Sequence, residues 1–212
     1  MIKKQILKDL SWRYATKKFD AEAILPEDQI NIIKTAFNLT ATSYGLQPIK
    51  LIIIKDKALQ NELVPFSMNQ QQIAQASHVL VFCIEQNISP EFISEYFKRV
   101  KEVRATADNI LKPFEEYLQE DFKVKNHKEI ENWATKQAYL AMGNLLTVCA
   151  IERIDACPME GFNPSAYNEH LNLNDKGLKS VLVMPIGYRA KDDMFADLKK
   201  VRKKEEEAVI EL

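Results

Sequence analysis

Two small basic clusters lie near opposite ends of the chain. Arg13 and Lys17 are four residues apart and follow a short amphipathic segment, and the second cluster consists of Lys199, Lys200 and Arg202. Arginine offers a planar fork of donors and lysine a point charge, which is the chemistry that phosphate oxygens require. Because the net charge is only −1, the clusters suggest one anionic ligand held from both sides. The alternative is that each base is a solvated surface residue.

The sequence gives little support for a cysteine, metal, dinucleotide-loop or serine-nucleophile site. The three cysteines, Cys83, Cys149 and Cys157, sit in apolar contexts without Cys-x-x-Cys spacing, so we expect buried thiols that behave as small hydrophobic residues. The three histidines are not spaced for a shared ion, and we predict no metal site. The five glycines form neither a Rossmann Gly-x-Gly-x-x-Gly turn nor a P-loop, and no Gly-x-Ser-x-Gly elbow occurs.

Composition narrows the class of protein. The chain has 212 residues, 46% hydrophobic and 28% charged, as in a globular protein with a sizeable core. Lys plus Arg number 29 against 30 Asp plus Glu, and since nucleic-acid-binding proteins usually carry a basic excess, we expect no such partner. No apolar run approaches the roughly 18 residues of a membrane span, and no secretory signal is visible. We predict a cytoplasmic protein without a membrane partner.

Apolar periodicity predicts an α+β fold in one domain, residues 1–212. Ile49–Ile54, His78–Ile84 and Val181–Ile186 are short apolar runs typical of buried strands. Helical patterns surround these strands. The predicted helices are Ile2–Leu10, a helix beginning at Pro26, Lys57–Phe66, Gln70–Ala76, Pro90–Leu118 with a break at Pro113, and Asn126–Ile151.

The last of these helices and the C-terminal tail raise the question of a partner subunit. Asn126–Ile151 is apolar on nearly every side from Trp133 onward, as in a helix buried all round, so we expect a second subunit to cover part of it. The tail is charged from Lys191 and regains apolar character at Val209. Two interpretations stay open for the tail: a frayed terminus, or an arm that docks on another subunit.

Four segments, taken in order, resemble the nitroreductase family, closest to its oxygen-insensitive NAD(P)H nitroreductase and dihydropteridine reductase branch. Residues 13–20 resemble the Arg-x-Ser-x-Arg/Lys-x-Phe start of that family, and residues 42–48 its Ser-Ser-x-Asn-x-Gln-Pro loop. Residues 157–162 match its Pro-x-Glu-Gly-Phe turn, and residues 199–202 resemble its C-terminal Lys-x-Arg. The resemblance implies a central mixed, mainly antiparallel sheet flanked by helices, in an intertwined homodimer with a long buried interface helix and a C-terminal arm.

The resemblance also implies FMN as the cofactor, bound at the dimer interface, and NAD(P)H as the electron donor. Arg13, Lys200 and Arg202 match positions that hold the phosphate, and Lys17 matches one near the pyrimidine edge of the flavin. A fixed cation at that edge stabilises the reduced flavin. The other matching cofactor positions are Tyr14, Ala15, Thr42, Ser43, Gly45, Asn69, Pro158, Glu160 and Gly161.

Several of these positions carry a more specific expectation. Glu160 and Gly161 match a turn whose backbone N–H groups face flavin N5 and O4, where glycine permits close approach. The loop that contains Thr42, Ser43 and Gly45 would come from the second subunit and close the site. Asn69 would bond the pyrimidine side of the flavin, cap the helix Gln70–Ala76, or do both.

Substrate contacts are predicted at Lys17, Gln72 and Phe114, and the sequence departs from the family pattern nearby. Gln72 stands where the closest branch has a lysine, which removes a cation from the channel mouth. Tyr14 and Ala15 stand where His or Arg and Ser are common, and Ala15 cannot donate a hydroxyl hydrogen bond. Phe114 matches an aromatic that covers the channel, and a plain core or surface aromatic is the alternative.

The implied function is that of an FMN-dependent NAD(P)H oxidoreductase with ping-pong kinetics. NAD(P)H passes hydride to flavin N5, and a small planar acceptor, whether nitroaromatic, quinone or pterin-like, then receives two electrons. No catalytic side chain is predicted, because the cofactor carries the chemistry. The alternative is a flavin-binding protein of the same fold with little turnover, since a fold does not determine function.

Overall fold

The computed structural model describes residues 2–212, with side chains from Lys4 onward. Its centre is a four-stranded sheet in the order β1-β2-β4-β3, with antiparallel pairing throughout. The strands are β1 Ile49–Ile54, β2 His78–Glu85, β3 Asp155–Ala156 and β4 Leu178–Gly187. A parallel bridge between Ala15 and Ala156 adds a mixed element at the β3 edge, so the predicted sheet type is confirmed.

Helices cover both faces of the sheet, which confirms the predicted α+β class. In chain order the helices are α1 Ile2–Trp12, α2 Glu27–Asn38, α3 Lys57–Leu63, α4 Gln72–Gln75, α5 Pro90–Arg104, α6 Asp108–Val124, α7 His127–Ile151, α8 Pro164–His170 and α9 Glu205–Ala208.

Strand β2 divides two hydrophobic layers. Leu80 and Phe82 point into a cluster with α2 and α7, whereas Val79 and Val81 point into a cluster with α3, α4 and α8. Residues that alternate along a strand face opposite sides of the sheet, so a strand covered on both sides must be apolar at every position. This explains why the sequence of β2 is a continuous apolar run.

The predicted break at Pro113 is wrong. Helix α5 ends at Arg104, where Ala105 adopts a left-handed conformation with φ 52°, and α6 begins at Asp108 and continues through Pro113. Proline removes one helical hydrogen bond, but the burial of Leu118 and Phe122 against α5 offsets this cost, since packing dominates helix stability.

Within a single protomer helix α7 is buried on one face only, so the predicted burial on its other sides would need the partner subunit. Tyr139, Leu140 and Ile151 are 45%, 52% and 48% exposed. The buried face consists of Ala134, Ala138, Ala141, Leu145 and Cys149. Coverage of the open face by a partner subunit therefore stays a prediction.

Helix α1 and the tail also leave apolar side chains in solvent. Of the residues that give α1 its predicted periodicity, Ile6 and Leu7 are 42% and 65% exposed, and the side chain of Ile2 lies outside the described residues. In the tail, Val209 and Ile210 are exposed as well. Docking of the tail on another subunit stays a prediction.

The open face of α7 generates the first testable prediction. The protein should migrate as a homodimer, at about twice the 24.4 kDa of one chain, because large exposed apolar patches mark subunit interfaces. Leu140→Glu should shift it toward the monomer in sedimentation-velocity analysis, since a buried unpaired charge opposes association.

Val103→Glu is the matched control, because Val103 is 78% exposed on α5, outside the open face of α7. It should leave the dimer intact. A monomeric parent protein, or equal dissociation by both variants, would contradict the assignment of this face.

Candidate functional site

The structure brings the two basic segments together. The Nζ of Lys200 donates a hydrogen bond to the backbone carbonyl of Arg13. Burial, and after it the charge of Arg202, lowers the pKa of Arg13. Burial and the charges of Arg13 and Arg202 likewise lower the pKa of Lys200. The three side chains predicted to share one phosphate therefore lie in one region, and the charge of Arg202 acts on both Arg13 and Lys200.

Three acidic side chains near this cluster are already paired with other cations, and a fourth, Asp193, accepts from neutral donors. Among the side chains that the structure describes, no ion pair includes Arg13, Lys200 or Arg202. The neighbouring pairs are Asp9 with Arg153, Asp155 with Arg189, and Asp192 with Lys18. Like charges held together without a counter-ion raise the free energy of the cluster, so an anion bound there would lower it.

Tyr14 and Ala15 follow Arg13 and are engaged inside the protein. The hydroxyl of Tyr14 donates to the carboxylate of Asp193 at 2.6 Å, and Ala15 forms the parallel bridge with Ala156. Burial and this hydrogen bond raise the pKa of Tyr14. The two residues thus support the loop that carries Arg13, and their role as direct cofactor contacts stays a prediction.

Lys17 lies near the start of the turn at residues 157–162, because the backbone N–H of the preceding Thr16 donates to the carbonyl of Ala156 at 3.3 Å. Burial raises the pKa of the Cys157 thiol, and the charge of Lys17 opposes this rise. Lys17 is exposed. The structure therefore brings an available cation close to the turn that includes Pro158.

The turn itself is anchored to the sheet. Met159 exchanges two backbone hydrogen bonds with Val183 of β4, at 2.8 and 3.1 Å, and the carbonyl of Gly161 accepts from Nε2 of Gln70 at 3.0 Å. A Cβ added at Gly161 would lie 3.1 Å from that Nε2 and 3.3 Å from Sδ of Met68. Glycine thus allows the chain around Asn69 to approach the turn.

Asn69 does not cap a helix, so that alternative is wrong. Helix α4 begins at Gln72 rather than at residue 70, and its N-cap is Gln71, which makes no side-chain capping bond. Asn69 instead adopts φ 56°, a left-handed conformation that asparagine tolerates. Gln72 is buried, at 8% exposure, and this position does not favour the predicted contact at a channel mouth.

The remaining predicted residues form a second region on other elements. The loop at Ser43–Gly45 is held by Gln137, whose Oε1 accepts from the backbone N–H of Ser43 at 2.9 Å. Thr42 Oγ1 accepts from the N–H of Gln47 at 3.0 Å. Gly45 has φ 76°, and a Cβ there would come within 2.7 Å of the Tyr96 hydroxyl. Only glycine fits this turn without displacing Tyr96.

This loop presents Tyr44 to an aromatic wall. Its ring lies 6.4 Å from those of Phe114 and Trp133 and 6.3 Å from that of Phe122, measured between centroids. Phe114 is 44% exposed. The structure therefore brings Phe114 to the loop rather than to the basic cluster, and offers an apolar surface for a flat ligand.

Sequence reasoning missed three residues that shape the site. Tyr139 on α7 donates to Oε1 of Glu160 at 2.6 Å. Arg189 lies over the rings of Trp12 and Tyr14, 4.3 and 4.6 Å from their centroids. Asp193 is the third. No local motif signals these contacts, because their partners are far apart in the sequence.

The described residues meet neither the requirements of a membrane-spanning helix nor those of a metal site. None of the helices within residues 2–212 is long and apolar enough to cross a membrane. The same part of the chain holds no group of three or more His, Cys, Asp and Glu side chains placed for a metal ion.

Comparison with known proteins places this geometry in context. The sequence model of the nitroreductase family matches residues 10–188. A protein of Staphylococcus saprophyticus with the provisional name NAD(P)H nitroreductase is 29% identical over 193 residues, covering 87% of this chain and 88% of its own.

Solved structures share the fold. A provisionally named nitroreductase of Bacillus subtilis superposes with a TM-score of 0.88 at 17% identity, over 99% of this chain and 100% of its own. A provisionally named nitroreductase of Exiguobacterium sibiricum, crystallised in complex with FMN, gives a TM-score of 0.83 at 15% identity, over 98% and 97% of the two chains.

The cysteines yield the prediction of this subsection. All three are free and buried, and burial raises the pKa of Cys83 and of Cys149 to about 12. A thiol with a raised pKa stays protonated and unreactive at lower pH. At pH 8 the native protein should therefore react only slowly with Ellman's reagent.

The same sample unfolded in guanidinium is the control, and it should release the full signal of three thiols at once. A fast-reacting thiol in the native protein would contradict the buried placement.

Proposed function

This chain belongs to the nitroreductase family, and we propose that it is an NAD(P)H-dependent oxidoreductase with FMN as its cofactor. The observation that carries the proposal is the convergence of Arg13, Lys200 and Arg202 without a paired carboxylate. The relative named as an NAD(P)H nitroreductase and the structural neighbour in complex with FMN support the same donor and cofactor.

The residues of the cluster fit a phosphate monoester. Such a group carries up to two negative charges and three acceptor oxygens, which match two guanidinium forks and one ammonium group. Arg13 and Arg202 would bind the oxygens through N–H groups, and Lys200 would add charge. When bound, FMN would supply the two-electron redox chemistry between NAD(P)H and the acceptor.

The protein would position the reactants and shape their surroundings. The turn at Glu160 and Gly161, anchored on β4 and by Gln70, keeps backbone N–H donors in fixed places, and fixed donors need no reorganisation during reaction. Lys17 would place a cation beside the ring system. Since these groups orient and polarise, no side chain has to act as acid or base.

The aromatic wall favours a small planar acceptor. Tyr44, Phe114 and Trp133 present ring faces and edges to one another, and Phe114 remains partly open. Such surfaces bind flat, electron-poor rings by stacking. We therefore propose nitroaromatic, quinone or pterin-like acceptors, handled in a ping-pong cycle that begins with NAD(P)H.

A homodimer would complete the site. One protomer leaves the open face of α7 in solvent, and within the described residues no strand covers the outer edge of β1. A cavity of about 830 Å³ lies beside that edge, between α2 and α5. Uncovered apolar strand edges promote association. In the dimer, the loop that carries Thr42, Ser43 and Gly45 would close over the partner's flavin.

The phosphate assignment is tested by Arg202→Ala. Loss of a charge-assisted bond to phosphate should cost about 1.5–3 kcal/mol, or roughly ten- to a hundredfold in the Kd for FMN. Fluorescence titration of the FMN-free protein measures this Kd. Lys203→Ala removes the adjacent exposed cation and is the matched control, with an expected change below about threefold.

Turnover is tested by anaerobic stopped-flow mixing of the flavin-loaded protein with NADH or NADPH. The flavin absorbance should bleach at about 1 s⁻¹ or faster and return when a quinone is added. Mixing with buffer alone is the control. Flavin colour that persists with both nucleotides would instead support the flavin-binding protein with little turnover.

A further inference from the structure

We propose that Asp193 is a positioning residue for the phosphate site, because its carboxylate ties the tail to the loop that carries Arg13 and Lys17. The inference rests on the proposed function, in which the anion at that site is the FMN phosphate. Asp193 itself would touch neither cofactor nor substrate.

The carboxylate collects donors from both segments. Its Oδ2 accepts from the hydroxyl of Tyr14 at 2.6 Å and from the backbone N–H groups of Lys17 and Lys18 at 3.0 and 3.1 Å. Its Oδ1 accepts from the N–H of Phe195 at 3.0 Å. Asp193 is only 6% exposed. Charge-assisted bonds of this kind are stronger than neutral ones, so the buried carboxylate fixes the loop at several points.

The charged form of Asp193 makes these bonds. Burial acts to raise its pKa, but the hydrogen bonds from Tyr14 and from the backbone of Phe195, Lys17 and Lys18 outweigh burial and hold the pKa below its ordinary value. The group is therefore ionised at neutral pH. Within the side chains described, it forms no ion pair, so neutral donors alone stabilise it.

In the sequence, Asp193 lies between two other sets of contacts that attach the tail to the loop. On one side the backbone forms a short ladder, in which Asp20 donates to Tyr188 at 2.8 Å and Ala190 donates to Lys18 at 2.9 Å. On the other side, Lys200 reaches the carbonyl of Arg13. The ladder ends at Ala190, so Asp193 continues the attachment of the tail toward the basic cluster.

Asparagine cannot replace this carboxylate. Both carboxylate oxygens accept, whereas a side-chain amide has one acceptor and one donor. In Asp193→Asn, the amide NH2 group must point either toward Tyr14 or toward Phe195. In both orientations a donor faces another donor. The loop and the tail should then no longer be held in a fixed position relative to each other, even though the size of the side chain is unchanged.

Asp193→Asn should therefore weaken FMN binding by about tenfold or more and riboflavin binding by less than about threefold, because riboflavin lacks the phosphate. Both Kd values come from fluorescence titration of the full-length protein. A general loss of folding would weaken both ligands alike. Electrostatics alone would act the other way, because loss of a negative charge beside an anion site tightens anion binding.

Asp192→Asn is the matched control. It removes the same charge one residue earlier, from an exposed pair with Lys18, and should leave FMN binding unchanged or slightly tighter. If Asp193→Asn does not fold, Tyr14→Phe removes one donor and keeps the carboxylate. It should weaken FMN more than riboflavin, by a smaller factor.

The outcomes separate the two claims. A parent protein that binds neither flavin contradicts the proposed function. A parent protein that binds FMN, with variants that bind it equally well or lose both flavins in proportion, overturns the positioning role of Asp193 and leaves the cofactor assignment intact.

Discussion

The candidate site depends on three cationic side chains that the fold holds together without a counter-ion. Burial and the neighbouring positive charges lower the pKa values of Arg13 and Lys200, which expresses the free-energy cost of this arrangement. Favourable hydrogen bonds around the cluster must offset that cost. A backbone ladder between residues 18–20 and 188–190 and the buried carboxylate of Asp193 do so. The cluster is therefore preorganised for an anion, and binding one would lower its free energy.

The two regions that the resemblance assigns to one site are attached to opposite edges of the sheet. The basic cluster and the turn at Gly161 join it at β3 and β4, whereas the loop at Ser43–Gly45 leads into β1, and the aromatic wall beside that loop belongs to α6 and α7. Strand β2 is buried on both faces, so this framework does not deform easily. A site that needs both regions is therefore more readily assembled between two protomers than within one, which fits the open face of α7.

The elements that the sequence predicted are those whose signals are local. The apolar runs of β1, β2 and β4 follow from neighbouring residues alone. Strand β3 has two residues, too few to show any alternation. Helix α5 ends at Arg104, before the left-handed Ala105, where the sequence has neither a glycine nor a proline to mark the end. Asp193 lies in a charged tail that resembles solvated coil, and its partner Tyr14 is 179 residues away.

The departures from the family pattern now have a physical interpretation. Where a histidine or arginine is common, Tyr14 donates to Asp193, and where a serine is common, Ala15 pairs with Ala156 in the sheet. The first departure gives the loop a bond within the protein, whereas the second only removes a hydroxyl, because the bridge of Ala15 is made by backbone atoms that a serine would also have. A phosphate bound there would depend more heavily on Arg13, Lys200 and Arg202, and on the contacts that keep them in place. Fewer ligand contacts on a better-fixed loop can hold the same anion, because a preorganised group loses less entropy on binding.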